Sequence, residues 1–240
     1  MPSSDNIEMP IAVVTGANSG IGHAFARILL DEGYELHACD RETGPKLHSL
    51  SPAQIHKLDV TSPSSISAFA KELEGKHIDV LLNVAGVMSP PEQDRMETTN
   101  LEVLRKTFEV NTFGPLLLTQ ALLPNLVRKE GAVARVGIVS SRVGSIGDNS
   151  TGGSYAYRSS KAAVNSIGKS LAMDLRDKNV VVILLHPGIT KTNMVAGLGE
   201  LPPDAVEPEE AAGKLWKVFM GKGIDETGTF WHREGFELPW

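Results

Sequence analysis

The chain has 240 residues, 41% apolar and 22% charged, with a formal net charge of −6 from 23 basic and 29 acidic side chains. A lone cysteine, Cys39, excludes an internal disulfide framework and any multi-cysteine zinc site, and the acidity argues against nucleic acid or an anionic membrane as the main partner. No apolar run approaches the ~20 residues of a membrane span, and the first ten residues lack a signal-peptide core, so a cytoplasmic protein of one domain over 1–240 is expected.

Short β-branched runs alternate with longer helical patterns. Strands are predicted at Ile11–Thr15, Tyr34–Cys39, Gln54–Leu58, Ile78–Asn83, Val133–Ser140, Val180–His186 and Gly228–Trp231. Amphipathic helical stretches fall near 20–32, 63–74, 99–128, 153–178 and 207–221. Ile78–Leu82 and Val180–Leu185 are nearly continuous apolar runs, as in strands covered on both faces. This alternation predicts an α/β fold: a single doubly wound, Rossmann-like parallel sheet of about seven strands with helices on both faces. Such sheets bind ligands at the carboxyl ends of their strands. The informative residues fall there.

After the first strand comes Thr15-Gly16-Ala17-Asn18-Ser19-Gly20-Ile21-Gly22, then a helical pattern. Glycines there permit a tight turn and close backbone approach, and the helix N-terminus offers N–H groups to a pyrophosphate. The second strand runs into Asp40-Arg41. A carboxylate at this place accepts from ribose hydroxyls and repels a 2′-phosphate, which favours NAD over NADP. Arg41 would instead pair with such a phosphate, and a solvated Asp–Arg turn is the plain alternative. Asp59 and Val60 follow the third strand as adenine contacts, or Asp59 caps the next helix. Asn83, Ala85 and Gly86 supply a small-residue floor, or a strand-ending turn.

Tyr157 and Lys161 stand at i and i+4, on one face of a predicted helix. A free phenol, with a pKa near ~10, is a poor proton donor or base at neutral pH. A nearby cation favours the phenolate, and so tuned, Tyr157 could pass a proton to a carbonyl oxygen as hydride arrives at carbon. A Tyr–Lys pair at this spacing also arises by chance on many helices. Ser141, ending the fifth strand, can orient a substrate oxygen, although strand-end serines are commonly turn formers. Pro115 has no N–H, so the Asn111 carbonyl loses its helical partner and needs another donor, most simply a water. A proton relay from Lys161 and a bare kink both fit. Residues 190–203, polar with Met194, Val195 and Leu198 interspersed, read as a substrate-side lid that orders with cofactor. The seven histidines show no metal-ligand spacing, so no catalytic metal is expected.

Together, Thr15–Gly22, Asn83–Gly86, Asn111, Ser141, Tyr157-x3-Lys161 and Pro187-Gly188 resemble the short-chain dehydrogenase/reductase family, along essentially the whole chain from Ile11. The resemblance implies an NAD(P)-dependent oxidoreductase moving hydride between nicotinamide and a small-molecule carbonyl or secondary alcohol. It implies Tyr157 as acid/base, Lys161 lowering its pKa and holding the nicotinamide ribose, Ser141 on the substrate oxygen and Asn111 on a relay water. Pro187, Gly188, Ile189 and Thr192 are implied at the nicotinamide, Gly16, Gly20, Ile21 and Gly22 at the pyrophosphate, and Asp40 and Asp59 at ribose and adenine. Homodimers or homotetramers are implied too, in line with the wide apolar surfaces of 99–128 and 153–178. Ser140 competes with Ser141, which is preferred because it matches the family's S-x-x-G with Gly144. Gly147–Gly153 lengthens the interval to Tyr157, and Val84 stands where Asn is usual. Gly144–Asp148 and Glu237–Trp240 resemble the C-signal-like carbonyl reductase branch. The alternatives are a nucleotide-binding signalling or regulatory protein of the same fold with little turnover, and an epimerase, dehydratase or isomerase.

Overall fold

The computed structural model describes residues 9–127, 132–196 and 199–240. In chain order the elements are β1 (Ile11–Thr15), α1 (Gly20–Asp31), β2 (Glu35–Asp40), α2 (Pro45–His48), β3 (Gln54–Lys57), α3 (Pro63–Glu72), β4 (Val80–Asn83), α4 (Leu101–Phe108), α5 (Gly114–Ala121) and α6 (Leu123–Leu126). They continue with β5 (Ala134–Val139), α7 (Tyr155–Leu175), β6 (Val180–His186), α8 (Pro208–Met220) and β7 (Thr229–His232). The seven strands form one parallel sheet in the order β3-β2-β1-β4-β5-β6-β7. The order reverses between β1 and β4, which opens a crevice at their carboxyl ends.

Strand periodicity sorts the core into two layers. Ala12 and Val14 of β1 face one way, onto Phe25 and Leu29 of α1 and Leu215 and Phe219 of α8. Val13 faces the other, with Ile66 and Phe69 of α3, Leu118 of α5 and Val164 of α7. Every residue of β6 from Val180 to Leu185 is fully buried, as its unbroken apolar run requires.

Most predicted boundaries shift by a residue or so, and three differences have a clear physical cause. β4 begins at Val80, because the Ile78 N–H turns aside to the Asn125 carbonyl (3.0 Å). The stretch 99–128 is not one helix. α4 passes into a π-helical turn over Glu109–Phe113, closed by the Gly114 N–H on the Glu109 carbonyl, and α5 and α6 follow; residue 128 lies outside the described residues. Pro115 sits in the first turn of α5, where a missing N–H costs little, so the break takes the form of a wide turn centred on Asn111. Finally, α7 begins at Tyr155 rather than 153, because Gly152, Gly153 and Ser154 all have positive φ (65°, 68° and 47°).

Candidate active site

The turn from β1 into α1 forms one wall of the crevice. A Cβ on Gly22 would lie 2.2 Å from the Gly16 carbonyl oxygen, so only glycine lets α1 start this close to the strand. Thr15 Oγ1 accepts from the Val84 and Ala85 N–H groups (3.0 and 3.1 Å) and fixes the chain leaving β4 beside Gly16. At the far end, Asn18, Ser19, Asp40, Arg41, Glu42, Pro45, Lys46 and Asn193 line an open cleft of about 520 Å³. The Asp40 carboxylate accepts from the Asn18 N–H (3.0 Å) and the Glu42 N–H (3.1 Å).

At the other end β5, α7 and the chain beyond β4 bring the predicted catalytic side chains together. The two serines that follow β5 face different ways. Ser140 Oγ donates to Asn165 Oδ1 (2.6 Å) and is buried against α7, whereas the Ser141 hydroxyl lies beside the Tyr157 phenol. Burial pushes that phenol up to about 12, and the Ser141 hydroxyl pulls the other way. Desolvation therefore prevails over the neighbouring hydroxyl. Lys161 Nζ lies 5.8 Å from the Tyr157 ring centre and donates to the Val139 carbonyl (2.9 Å). Burial lowers its pKa to about 8, so it still carries most of its charge at neutral pH. Asn111 is buried, with Oδ1 accepting from the Val87 N–H (2.8 Å) and Nδ2 donating to the Val87 carbonyl (2.8 Å) and Ser160 Oγ (3.1 Å).

The family model for short chain dehydrogenases matches residues 10–201. The chain belongs to the short-chain dehydrogenase/reductase family. It is 38% identical to the 1-hydroxy-2-glutathionyl-2-methyl-3-butene dehydrogenase of Rhodococcus sp. (strain AD45), over 97% of this chain and 100% of that protein. With the C-signal of Myxococcus xanthus it shares 39% identity over 72% of this chain and 99% of that one. The NADPH-bound carbonyl reductase from chicken fatty liver superposes with a TM-score of 0.87 at 32% identity, covering 97% and 99% of the two chains. These likenesses make it an NAD(P)-dependent oxidoreductase of the C-signal-like branch.

The crevice of this short-chain dehydrogenase suits a nicotinamide dinucleotide: it offers a glycine turn at a helix N-terminus, a polar cleft beyond β2 and a buried ammonium opposite a phenol. When bound, the cofactor supplies or accepts hydride. Pro187, Gly188 and Ile189 leave β6 on this edge. Thr192 Cγ2 lies 3.1 Å from where a Gly20 Cβ would stand, and Met194 Cε lies 3.8 Å from the same position on Gly86, beside Lys161 Nζ. Thr192 and Met194 thus stand at the glycine-turn and lysine ends of the crevice; Gly197 and Leu198 lie outside the described residues. Ile21 packs on the core of the α1 layer.

Other expected contacts point elsewhere. Asn83 Nδ2 donates to Thr119 Oγ1 (3.3 Å), toward α5. Asp59 Oδ1 accepts from the N–H and hydroxyl of Thr61 (2.9 and 2.8 Å), bracing the turn before α3. Val60 packs closely on Gly114. Among the described residues no group of three or more His, Cys, Asp or Glu is placed to hold a metal ion.

Two positioning residues have no signal in the sequence. Asp94 is buried, and its carboxylate accepts from the Ala156 N–H (2.8 Å) and the Tyr157 N–H (3.1 Å), capping α7 at the tyrosine itself. It lies 62 residues before Ala156, beyond any local capping pattern. Arg158, one residue past Tyr157, donates to the Gly152 carbonyl, Thr151 Oγ1 and the Val143 carbonyl. Together with the Arg142–Asp148 ion pair it holds the glycine-rich loop.

Proposed function

We propose that this chain interconverts a carbonyl and a secondary alcohol with NAD(H), Tyr157 serving as the acid/base. The reading rests chiefly on Ser141, Tyr157 and Lys161 meeting at one edge of the sheet. In reduction the Tyr157 hydroxyl gives its proton to the substrate oxygen, which the Ser141 hydroxyl also holds. The Lys161 ammonium then stabilises the phenolate and binds the ribose hydroxyls. Proton return from solvent runs by Lys161 and a water at Asn111, whose side chain also fixes Val87 beyond the floor residue Gly86.

For NAD rather than NADP the support is Asp40, whose carboxylate borders the cleft and would repel a 2′-phosphate. Arg41 and Lys46 border the same cleft, and the chicken carbonyl reductase was crystallised with NADPH, so the two cofactors are the comparison to make. The lid reading of 190–203 is supported by Thr192 and Met194 bridging the crevice. Leu101, Phe113, Leu117 and Met173 are exposed on α4, the π-helical turn, α5 and α7, which supports a homodimer or homotetramer through these helices. No helix among the described residues is long and apolar enough to cross a membrane; with Cys39 buried, the cytoplasm is the proposed location.

The test is turnover of a carbonyl panel by wild type and Tyr157→Phe, with NADH and NADPH binding followed by fluorescence. Wild type is expected to bind NADH more tightly and to reduce members of the panel. Tyr157→Phe should lose at least about a hundredfold in kcat while binding cofactor within about twofold. A variant keeping a tenth of the wild-type rate would remove Tyr157 from the role, and a wild type binding neither cofactor would overturn the reading.

A further inference from the structure

Arg233 follows β7 and is only 6% exposed although it carries a guanidinium. Its N–H donates to the His186 carbonyl (3.0 Å), extending the β6–β7 ladder by one residue. From there the side chain reaches the chain leaving β6. Nη1 donates to the carbonyls of Pro187 (2.7 Å) and Ile189 (3.2 Å), and Nη2 to that of Asp204 (3.0 Å). Nε donates to the Glu234 carboxylate (3.1 Å), which Lys214 also holds (2.9 Å). One side chain therefore joins the place where the 190–203 segment leaves the sheet to the place where it returns. Backbone pairing adds the Lys191 N–H on the Val206 carbonyl (2.9 Å) and the Val206 N–H on the Ile189 carbonyl (3.1 Å). Gly188 is part of this clamp: its φ is +67°, and a Cβ there would lie 2.3 Å from Arg233 Nη1.

We propose that Arg233 is a positioning residue for the nicotinamide side of the site, locking the chain that leaves β6 at Pro187–Lys191 to the chain at Asp204–Val206. This rests on the NAD(P) reading of the crevice. The rigid planar fork of arginine serves three carbonyls from one head group. A lysine keeps the charge but lacks the fork.

The experiment compares wild type with Arg233→Lys and Arg233→Gln by amide hydrogen exchange, cofactor binding and kcat at saturating cofactor. Both variants should exchange faster at Lys191 and Val206, with β4, β5 and β6 unchanged. Their cofactor Kd should rise about tenfold, with kcat at saturation within about threefold of wild type. Lysine should fall between arginine and glutamine. Wild-type exchange across 189–206 in both variants would overturn the proposal. So would faster exchange throughout the sheet with affinity and kcat falling together, since that is general stabilisation. If wild type binds neither cofactor, the functional reading fails instead, and exchange without cofactor still decides whether Arg233 locks the segment.

Discussion

The two ends of the crevice are built differently. At the Asp40 end the charged groups stand in water: the Arg41 and Glu42 side chains are 64% and 76% exposed and meet at 3.5 Å. At the Tyr157 end Asn111, Ser141 and Lys161 are buried, each tied to another element of the fold. Exposed charges act through a screened medium and are individually weak. Buried polar groups, once unpaired, carry the full desolvation penalty. One end can thus be retuned by a single surface substitution, whereas the other must be changed as a unit.

Tyr157→Phe gives the largest contrast, because it removes turnover and leaves the Asp40 end intact. Next, Asp40→Ala should move the NADH-to-NADPH affinity ratio toward NADPH by about ten- to a hundredfold, through loss of a repulsive charge. Its kcat with NADH at saturation should stay near wild type, and a fall in kcat as large as the shift in the ratio would erase the proposed division of labour. Asp94→Ala tests the buried end, leaving two backbone N–H groups at the start of α7 without their acceptor. A loss of about 2 kcal/mol is expected, or about 4–8 °C in Tm for a chain of this size, and Asp94→Asn should recover part of it.

The last effect is absent at neutral pH and is spread over both halves. Burial lowers His37, in β2, to about 4 and His186, at the end of β6, to about 3. The unfolded chain takes up these protons near pH 6.5 and the folded chain only at those lower values, so stability is full above about pH 6.5 and declines below it. Each histidine contributes about 1.4 kcal/mol per pH unit, down to about pH 4 for His37 and about pH 3 for His186. His37→Gln and His186→Gln should each flatten a Tm-against-pH curve below about pH 6.5, His186→Gln down to a lower pH than His37→Gln. Identical curves for wild type and both variants would mean that neither histidine is held neutral.

The sheet and its carboxyl-edge residues are legible in the sequence because they are written locally, in strand periodicity, in glycines packed into one turn and in a Tyr–Lys spacing of one helical turn. Ser141 is preferred over Ser140 from its distance to Gly144, and in the fold Ser140 is turned onto Asn165. The hidden features depend on distant partners. Nothing near Asp94 announces that it caps a helix beginning at Tyr155, and nothing near Arg233 points to Pro187. Asn83 reads as a floor residue because it ends a strand, but its alternation sends the amide toward Thr119. Asn111 is marked by Pro115, yet its amide group grips Val87, a contact between elements that no spacing along the chain encodes.

The π-helical turn at Glu109–Phe113 also bears on engineering. It holds one residue more than an ordinary turn, and deleting that residue would give a longer, more uniform helix. Each residue removed rotates the downstream part of the helix by about 100° relative to the upstream part, so Asn111 and Leu118 could not both keep their partners. Redesign that rewards ideal backbone geometry would favour the deletion and count it as an improvement. In such a library the straightened variants should be missing from the active members, because either buried Asn111 or core Leu118 has lost its partners.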